Sequence, residues 1–473
     1  VRPPVAPSGR MVHAMAYDGV GQRALLFGGM IPISIVATQI YGDTWAWDGS
    51  TWVEVTPANG PSPRSGHAMV RDAARDRVVL FGGQAANGAN LAETWEWDGA
   101  TWSLVPATPS PPVRFGHQLA YDAARQRVVM FGGFGNGGTR LGDVWEWDGV
   151  AWTDVTPAAG PPARAYHAMA YDPARQRTLL FGGYGTATLG DTWEWDGANW
   201  AERKPSLSPP PCAYHDLAYD VVRRRTVLFT GIETWEWDGA SWARLTPTRS
   251  PAIRRYFKMA YDAARLRTVL FGGFGTQTFD DTWEWDGATW TQLPRTILLT
   301  PRSAHVMAYD SARGMTVLFA GEGAGSSHGG PFFNDTWELR RARSTVVATP
   351  ATLALAVGGT QTLSIDAGIA GANQLYWVVG SITGTIPGVV LTGTHIPLQL
   401  DAYTDITLVA ANSPPLSGFR GTLDATGAGA AVLRVPAMLP VPSGFRIFHS
   451  AIVFDATTSQ VLLATNPAVL VLR

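Results

Sequence analysis

Cysteine and lysine are almost absent from this chain. Cys212 is the one cysteine among 473 residues, which excludes an intramolecular disulfide framework and a metal site made of several thiolates. Lys204 and Lys258 are the only lysines, and arginine supplies the other cations. Formal net charge is -2 and the pI is about 6.5, so no overall field favours nucleic acid, and we expect no nucleic-acid partner.

Long apolar segments and catalytic motifs are missing as well. No run of about 18 apolar residues occurs, so the sequence predicts no transmembrane segment. We find no nucleophile with a base and an orienting group, no glycine-rich phosphate loop and no metal motif, and therefore expect no catalytic residues, no metal and no cofactor. The chain starts at Val1 rather than Met, which suggests a processed start.

An internal repeat is the dominant positive signal, and it occurs seven times. One copy contains the stretches Arg164–Asp172, Arg177–Gly183 and Asp191–Gly197, followed by Trp200. Within each copy, four short apolar or alternating runs are separated by turn residues, which is the pattern of a four-stranded antiparallel sheet. One turn contains Asp-x-x-Arg and another contains Asp-Gly. Because one such sheet cannot bury both its faces, the copies must stack radially into a seven-bladed propeller.

The phrases Phe-Gly-Gly and Asp-Thr-Trp-Glu-Trp-Asp-Gly, with a further Trp a few residues on, make this unit resemble the kelch repeat. The resemblance covers roughly residues 10–350. It implies an all-β propeller in which the first strand of each blade lines the central axis and the fourth lies outermost. Blade seven needs a fourth strand, and 345–350 resembles the strand at 52–57 without its Trp, so we expect this segment to complete the blade.

Tryptophan and histidine follow the repeat so closely that a structural role is expected for both. Nineteen of the twenty tryptophans occupy repeat positions, with Trp377 as the exception, and we expect them to pack between adjacent blades. Six of the nine histidines occupy one position before the first strand. The expected reading is a ring of buried, hydrogen-bonded histidines, with a metal site as the alternative.

Composition changes after residue 350, where Trp nearly vanishes and short Gly-, Thr-, Leu- and Val-rich runs begin. About eight such runs, among them Ile406–Ala410 and Ala430–Val435, predict an Ig-like β-sandwich. We therefore assign 1–350 to the propeller and 351–473 to a C-terminal domain. The segment Leu375–Ser381 and the closing Asn-Pro motif at Asn466 resemble β-sandwich tails of large extracellular bacterial proteins, notably of planctomycetes.

The loop-bearing face of the propeller is where we expect ligands to bind. Loops from strand four to the next strand one, and from strand two to strand three, emerge together and vary in sequence. An arginine recurs just before strand one, and six guanidinium groups around one channel mouth would attract carboxylate, sulfate or phosphate groups. The alternative is that each arginine ties its blade to a carbonyl group or an Asp of a neighbouring blade. These candidate ligand-binding residues are Arg10, Arg64, Arg114, Arg164, Arg254 and Arg302.

Aromatic residues and unequal loop lengths mark the same face. Phe115, Tyr166, Tyr214 and Tyr256 follow the Arg position, and the candidates Phe134, Tyr184 and Phe274 follow the Gly-Gly position. Thirteen residues separate strands two and three after Gly29 and after Gly321, but only one lies between Gly231 and Glu233. A raised wall at blades seven and one, facing a low rim at blade five, would form a groove for an extended ligand.

Three classes of function remain open. The leading one is a non-catalytic binding module, extracellular or at the cell surface, that takes an acidic glycan or a protein partner. The second is a structural surface component that associates with itself. The third is a carbohydrate-active enzyme of the kelch type, resembling sialate mutarotases or copper oxidases; Cys212 near Tyr214 and His215 is the feature that suggests copper.

Overall fold

The computed structural model describes residues 5–34, 37–293, 299–323 and 330–339, together with the backbone of twelve strands between 345 and 472. The chain divides into two compact units, 1–339 and 340–473. The one helical element of the described residues is the short 3₁₀ turn Asn136–Gly138, and no described helix has the length and apolar character needed to cross a membrane.

The first unit contains seven sheets whose strands follow one another in chain order. The first strands are Ala14–Asp18, Ala68–Asp72, Gln118–Asp122, Ala168–Asp172, Asp216–Asp220, Lys258–Asp262 and Val306–Asp310. The second strands are Arg23–Phe27, Arg77–Phe81, Arg127–Phe131, Arg177–Tyr184, Arg225–Phe229, Arg267–Phe271 and Met315–Phe319. The third strands are Thr44–Trp47, Thr94–Trp97, Val144–Trp147, Thr188–Trp195, Thr234–Trp237, Thr282–Trp285 and Thr336–Leu339. The fourth strands are Trp52–Glu54, Trp102–Val105, Trp152–Asp154, Trp200–Arg203, Trp242–Leu245 and Trp290–Gln292.

All pairings within these sheets are antiparallel, and each first strand also lies against the first strands of its two neighbours. The last of the seven contacts the first, which closes the ring. The seven-bladed, all-β propeller predicted from the repeat is therefore confirmed. Further short strands lie in the loops. Met30–Ser34 pairs with Ala37–Ile40 between strands two and three of blade one, and Arg254–Arg255, which precedes the first strand of blade six, pairs with Phe274–Gly275 after its second strand.

The Gly-Gly pair exists because the next blade approaches it closely. In blade one, Gly28 and Gly29 have φ of 64° and 101°, in the region that glycine favours. The main-chain N–H of Gly29 donates to the carbonyl oxygen of Arg64 at 2.9 Å. A Cβ on Gly28 would lie 2.6 Å from that same oxygen, so a side chain there would push the blades apart.

Indole N–H groups connect each blade to the one before it. The second Trp of the Trp-Glu-Trp motif donates to the preceding blade's Glu, as Trp195 does to Glu146 at 2.7 Å. The Trp of the fourth strand donates to the Thr that begins the preceding blade's third strand, as Trp152 does to Thr94 at 2.7 Å. These contacts confirm the expected packing between blades and explain why the motif repeats as a unit.

Blade three breaks this pattern at one residue, which leads to a stability prediction. Val144 replaces the repeated Thr, and the buried Nε1 of Trp200 has no hydrogen-bonding partner among the described residues. We expect Val144→Thr to supply an acceptor and to raise the free energy of unfolding by about 1 kcal/mol in urea titrations. The matched reverse change, Thr94→Val, leaves the N–H of Trp152 without its acceptor and should lower the free energy of unfolding by about 1–3 kcal/mol. The two changes need not have equal and opposite effects on stability. A loss of stability in Val144→Thr would contradict the conclusion that Trp200 lacks an acceptor.

Blade seven has three strands among the described residues, Val306–Asp310, Met315–Phe319 and Thr336–Leu339. Thr345–Thr349 pairs with Gly359–Asp366 in the second unit, so the expectation that it completes blade seven is corrected. Contacts from blade one close the ring instead. The indoles of Trp47 and Trp52 donate to Glu338 and Thr336, and Gly321 N–H donates to the Arg10 carbonyl at 3.1 Å.

The described strands of the second unit form two larger sheets and a hairpin. The four-stranded sheet has the order Thr345–Thr349, Gly359–Asp366, Ala428–Val435 and Leu416–Ser417. The six-stranded sheet contains Thr352–Leu353, Ala468–Leu472, Arg446–Phe454, Leu375–Ser381 and Arg420–Thr422, with Val461–Ala464 paired to Arg446–Phe454. The hairpin joins Val389–Leu391 to Thr394–Ile396. The predicted strand Ile406–Ala410 lies outside the described residues, and the sandwich arrangement stays a prediction.

Candidate functional site

The six repeated arginines are buried, with exposed fractions of 0–2%. Their guanidinium groups bind a carboxylate of their own blade with donor–acceptor distances of 2.5–2.9 Å: Arg10 with Asp43, Arg64 with Glu93, Arg114 with Asp143, Arg164 with Asp191, Arg254 with Asp281 and Arg302 with Asp335. The expected structural alternative is corrected in one respect, because each arginine binds a carboxylate and a carbonyl group of its own blade and not of a neighbouring one. A ligand would have to displace the carboxylate first, so we place the candidate site elsewhere.

Two further contacts fix each arginine, and the partner carboxyl responds to them. Arg114 donates to the carbonyl oxygens of Gly132 at 2.9 Å and Pro112 at 3.0 Å. Burial by itself raises the pKa of the Asp143 carboxyl, but the hydrogen bonds and charge of Arg114 outweigh it, and this pKa lies below its ordinary value. The Asp143 carboxyl is therefore ionised at neutral pH and forms an ion pair with the buried Arg114.

The six repeated histidines are buried and pack against phenylalanine rings. The six histidines are 1–7% exposed, and five of them, His67, His117, His167, His215 and His305, meet a Phe of the preceding blade edge to face, as His117 meets Phe81 at 5.6 Å. His13 meets Phe319 of blade seven in the same way. Blade six has Phe257 at this position, 5.4 Å from Phe229.

The histidines are buried as expected. By distance and angle, neither ring nitrogen of any of the six makes a hydrogen bond within the described residues. Main-chain groups of Phe319, Phe27 and Phe181 nevertheless interact with His13, His67 and His215 and raise their pKa values against the effect of burial, so the expected hydrogen bonding stays a prediction. Burial, followed by the charge of Arg64, lowers the pKa of His67 to about 3, and burial lowers the pKa of His215 to about 4. The imidazoles are therefore neutral at physiological pH.

The residue before each histidine has a left-handed backbone, which aims it at the central axis. These positions, with φ from 53° to 67°, are Val12, Gly66, Gly116, Tyr166, Tyr214, Tyr256 and Ala304. Each of the last six donates its main-chain N–H to the carbonyl oxygen of the preceding one, at 3.0–3.3 Å. This arc of six hydrogen bonds runs from blade to blade and compensates for the strained conformation.

Three consecutive blades have tyrosine at the strained position, and their rings pack in a row, tilted by 31° and 47° between neighbours. The ring centroids of Tyr166 and Tyr214 are 4.6 Å apart, and those of Tyr214 and Tyr256 are 4.8 Å apart. Burial, then the neighbouring tyrosines, raise the pKa of Tyr166 to about 12. All three line a cavity of about 530 Å³ at the end of the central axis. Its volume falls in the range of small-molecule sites.

Besides the histidines and tyrosines, the cavity lining contains four polar side chains, and two of them come from the first residue of a first strand. Ala14, Ala68, Ala168 and Val306 are the apolar occupants in blades one, two, four and seven, whereas the other three blades have Gln118, Asp216 and Lys258. Gln118 and Lys258 line the cavity, as do Ser303 and Glu322. Lys258 Nζ lies 3.5 Å from Asp216 Oδ2.

Sequence reasoning missed Gln118, Asp216 and Lys258, although a signal for them exists. The innermost position of a repeat should be small or apolar wherever it only packs, so three polar substitutions there point to the axis. The sequence nevertheless predicted that ligands bind on the loop-bearing face, and this cavity opens there, among the loops that lead into the first strands.

The three remaining candidates, Phe134, Tyr184 and Phe274, lie after the Gly-Gly pairs as predicted. Phe134 is packed between Phe115, at 5.3 Å, and Tyr166, at 5.6 Å. Tyr184 and Phe274 are 40% and 38% exposed. The structure therefore brings Phe134 next to the tyrosine row and leaves the other two rings accessible to solvent.

The copper alternative requires several metal-binding side chains close together. Within the described ranges, no three His, Cys, Asp or Glu side chains form a group able to hold a metal ion. Cys212 takes the place of the repeated arginine in blade five and packs in an apolar cluster with Leu217 and Trp242. Burial raises the pKa of its thiol to about 12.

Comparisons with known proteins add little to this picture. No protein-family model matches the chain, and no curated protein is significantly similar to it. A solved structure titled "Structure of YjhT" aligns with 72% of this chain and 97% of its own length, at 13% identity and a TM-score of 0.42. The strand pairing described above, and not this alignment, establishes the seven-bladed fold.

Proposed function

We propose that this chain is a non-catalytic binding module whose central cavity receives a sugar residue of an acidic glycan. The observation that supports this most is the row of Tyr166, Tyr214 and Tyr256 along the cavity wall. Aromatic rings offer an apolar face to the C–H groups of a sugar, and hydroxyl groups at their edges bind its polar atoms. The kelch character of the repeat and an extracellular or cell-surface location, which the resemblance implies, are parts of the same proposal.

Backbone strain supports a role for the tyrosines beyond packing. A residue with a side chain costs about 1 kcal/mol or more in the left-handed region, whereas glycine adopts it freely. Blades two and three satisfy the same position with Gly66 and Gly116 and keep the same hydrogen bond. The fold therefore does not require tyrosine there, and strain retained without a folding benefit is typical of functional sites.

The cavity lining contains one basic side chain, Lys258, and one acidic side chain, Glu322 of blade seven, and the basic one supports an acidic ligand. Lys258 lines the cavity from blade six, and its 3.5 Å distance to Asp216 makes that ion pair loose. An incoming carboxylate or sulfate can therefore contact the ammonium group without breaking a tight pair. Gln118 and Ser303, on other blades, offer amide and hydroxyl groups to sugar hydroxyls.

Replacing one tyrosine by glycine tests this function. We expect Tyr214→Gly to remain folded, with a free energy of unfolding within about 1 kcal/mol of the wild type, because relief of strain offsets lost ring stacking. Binding to acidic glycans on an array should fall at least tenfold, since one wall of the cavity is gone. Urea titration and array fluorescence measure the two effects separately.

A control and two contrary outcomes complete this experiment. Leu104→Gly, at an exposed residue of blade two's outer strand, should leave glycan binding unchanged. If folded wild-type protein binds no glycan on the array, the proposal fails and protein partners become the candidates. If it sediments as a concentration-dependent oligomer and binds no glycan, the structural role replaces the binding role.

A further inference from the structure

We infer that the glycan chain leaves the central cavity across blade five, through a groove whose contacts are Tyr184, Phe274, Arg255 and Arg140. This inference rests on the proposed function and adds to it the path of the ligand, its minimum length and the residues that recognise its charge. The groove is defined by the short rim of blade five, Thr230–Glu233, with blade four on one side and blade six on the other.

Loop lengths around the ring slope down to blade five. Between the second residue of the Gly-Gly position and the acidic residue before strand three, blades one to seven have 13, 9, 9, 7, 1, 7 and 13 residues. In blade five the turn is closed by Thr230, which bonds the Glu233 main chain within three residues. Blade five therefore has the shortest rim around the cavity, and this is the place where we expect a bound chain to pass out.

Exposed aromatic residues are confined to the two sides of this opening. Tyr184, Tyr256 and Phe274 are the aromatic side chains classed as exposed in the described part of the chain, at 38–40%. Tyr184 belongs to blade four, and the other two belong to blade six. Each follows a Gly-Gly or arginine position, so all three lie on the loop-bearing face. Their restriction to this edge concentrates exposed apolar surface in one place, as at ligand-binding grooves.

The tyrosine row connects the cavity to the opening. Tyr214 of blade five stacks between Tyr166 and Tyr256, and it lies near enough to Tyr184 for that residue to influence its pKa, which is raised first by burial. A ligand resting on Tyr166 in the cavity can therefore continue over Tyr214 toward Tyr184 without leaving aromatic surface. This continuity favours an extended chain of sugars over a single small molecule.

Two arginines at the groove are free of ion pairs among the described residues, in contrast to the buried column. Arg255 is exposed, and its guanidinium carbon lies 5.9 Å from the ring of Tyr256. Arg140 belongs to the loop between strands two and three of blade three and lies against the blade-four side of the groove. Its guanidinium carbon is 4.7 Å from the centre of the Tyr184 ring and 5.6 Å from that of Phe134, and its buried Nε has no partner among the described residues. Arginines that stack on aromatic rings and keep their N–H groups unpaired are suited to bidentate recognition of carboxylate or sulfate.

The position of Arg255 explains why acidic sugars are the expected class. Other blades have Met11, Ser65, Phe115, Ala165, Ala213 and Ser303 at the equivalent place, so the charge is a feature of blade six alone. Together with Lys258, it puts two cations on the side of blade six that faces the opening. A uronic-acid or sulfated chain crossing blade five would meet Arg255 outside the cavity and Lys258 inside it.

Length dependence tests the groove. Ladders of one to six sugars are measured by calorimetry with the full chain: oligogalacturonate, hyaluronan and heparin-derived ladders as acidic probes, and cello-oligosaccharides as the neutral probe. We expect affinity for an acidic ladder to rise at least tenfold between one and four sugars, and to weaken with added salt because exposed charges are screened. The neutral ladder should show no comparable rise.

Variants show whether the named residues cause that rise. Arg255→Gln and Tyr184→Ala should each remove at least half of the gain with length, in logarithmic terms, and leave the binding of the shortest bound acidic ligand unchanged. Arg224→Gln removes an exposed arginine from the opposite face and is the matched control. Affinity independent of length, an equal rise for the neutral ladder, or no effect of Arg255→Gln would overturn the groove while leaving cavity binding intact. Absence of any binding by wild-type protein would overturn both proposals.

Discussion

Acidification from pH 7 to pH 5 is expected to unfold the propeller, because its six buried histidines cannot take up protons without leaving their sites. Their folded-state pKa values lie well below the ordinary value of 6.5, with burial as the largest cause. Above pH 6.5 both folded and unfolded chains hold these groups neutral, so stability does not depend on them there. Below pH 6.5 the unfolded chain binds protons that the folded chain does not, and stability falls with pH.

The expected slope is steep because the effect is repeated six times. Asp262 opposes it, since burial raises the pKa of this carboxyl to about 6 and the folded chain gains one proton there. A net uptake of five protons on unfolding corresponds to about 7 kcal/mol per pH unit below pH 6. This is comparable to the whole stability of many domains, about 5–15 kcal/mol. Urea midpoints followed by tryptophan fluorescence between pH 8 and pH 5 measure the slope.

A matched pair of substitutions isolates the histidine contribution. His117→Phe copies blade six, where Phe257 fills the same place against Phe229. At pH 8 it should change the free energy of unfolding by less than about 1 kcal/mol, and at pH 5 it should be about 2 kcal/mol more stable than the wild type. Phe257→His adds a seventh site and should steepen the slope by one proton. An acid transition that is unchanged in both variants would show that other groups control it.

The repeat made the propeller predictable because each of its residues has a contact that recurs in most blades. Asp172 accepts from the main-chain N–H groups of Ala174 and Arg175, and Gly197 adopts φ of 98°, as the turn chemistry predicts. The fourth strand of blade seven was not predictable in the same way. The segment 345–350 copies the alternation of a fourth strand but lacks the Trp whose N–H would connect it to the preceding blade, and Thr345–Thr349 pairs elsewhere.

The candidate site was predictable to the level of its face but not of its residues. A periodic arginine has the same sequence signature whether it faces solvent or an internal carboxylate. The partner acids Asp43, Asp143 and Asp191 recur with it, yet loops of different length place them 33, 29 and 27 residues away. Only the three-dimensional structure shows that the arginine and the carboxylate lie within hydrogen-bonding distance. Conversely, the strain at Tyr166, Tyr214 and Tyr256 is a backbone property that composition and spacing do not reveal.

Loss of one buried arginine is expected to cost the propeller about 3–5 kcal/mol, because it removes the charged partner of a largely buried carboxylate and the side-chain donor to a buried carbonyl group. Arg164 donates to both oxygens of Asp191 at 2.6 Å and to the carbonyl oxygen of Gly182 at 2.9 Å. Arg164→Ala removes these bonds together. The free energy of unfolding, measured by urea titration, should fall by that amount. Arg255→Gln, at an exposed arginine without an ion pair among the described residues, should change it by less than about 0.5 kcal/mol.

Changing Arg114 and Arg164 together sharpens the distinction between a structural column and a ligand site. The two lie in adjacent blades and bind different carboxylates, so their costs should add approximately, to about 6–10 kcal/mol, and the double alanine variant should be largely unfolded at pH 7. Loss of glycan binding in that variant would then report on folding and not on recognition. Arg164→Lys keeps the charge but not the planar fork, and should recover part of the stability. A double variant that stays folded and loses glycan binding would return the ligand site to the arginines and remove the structural basis for placing it at the tyrosine row.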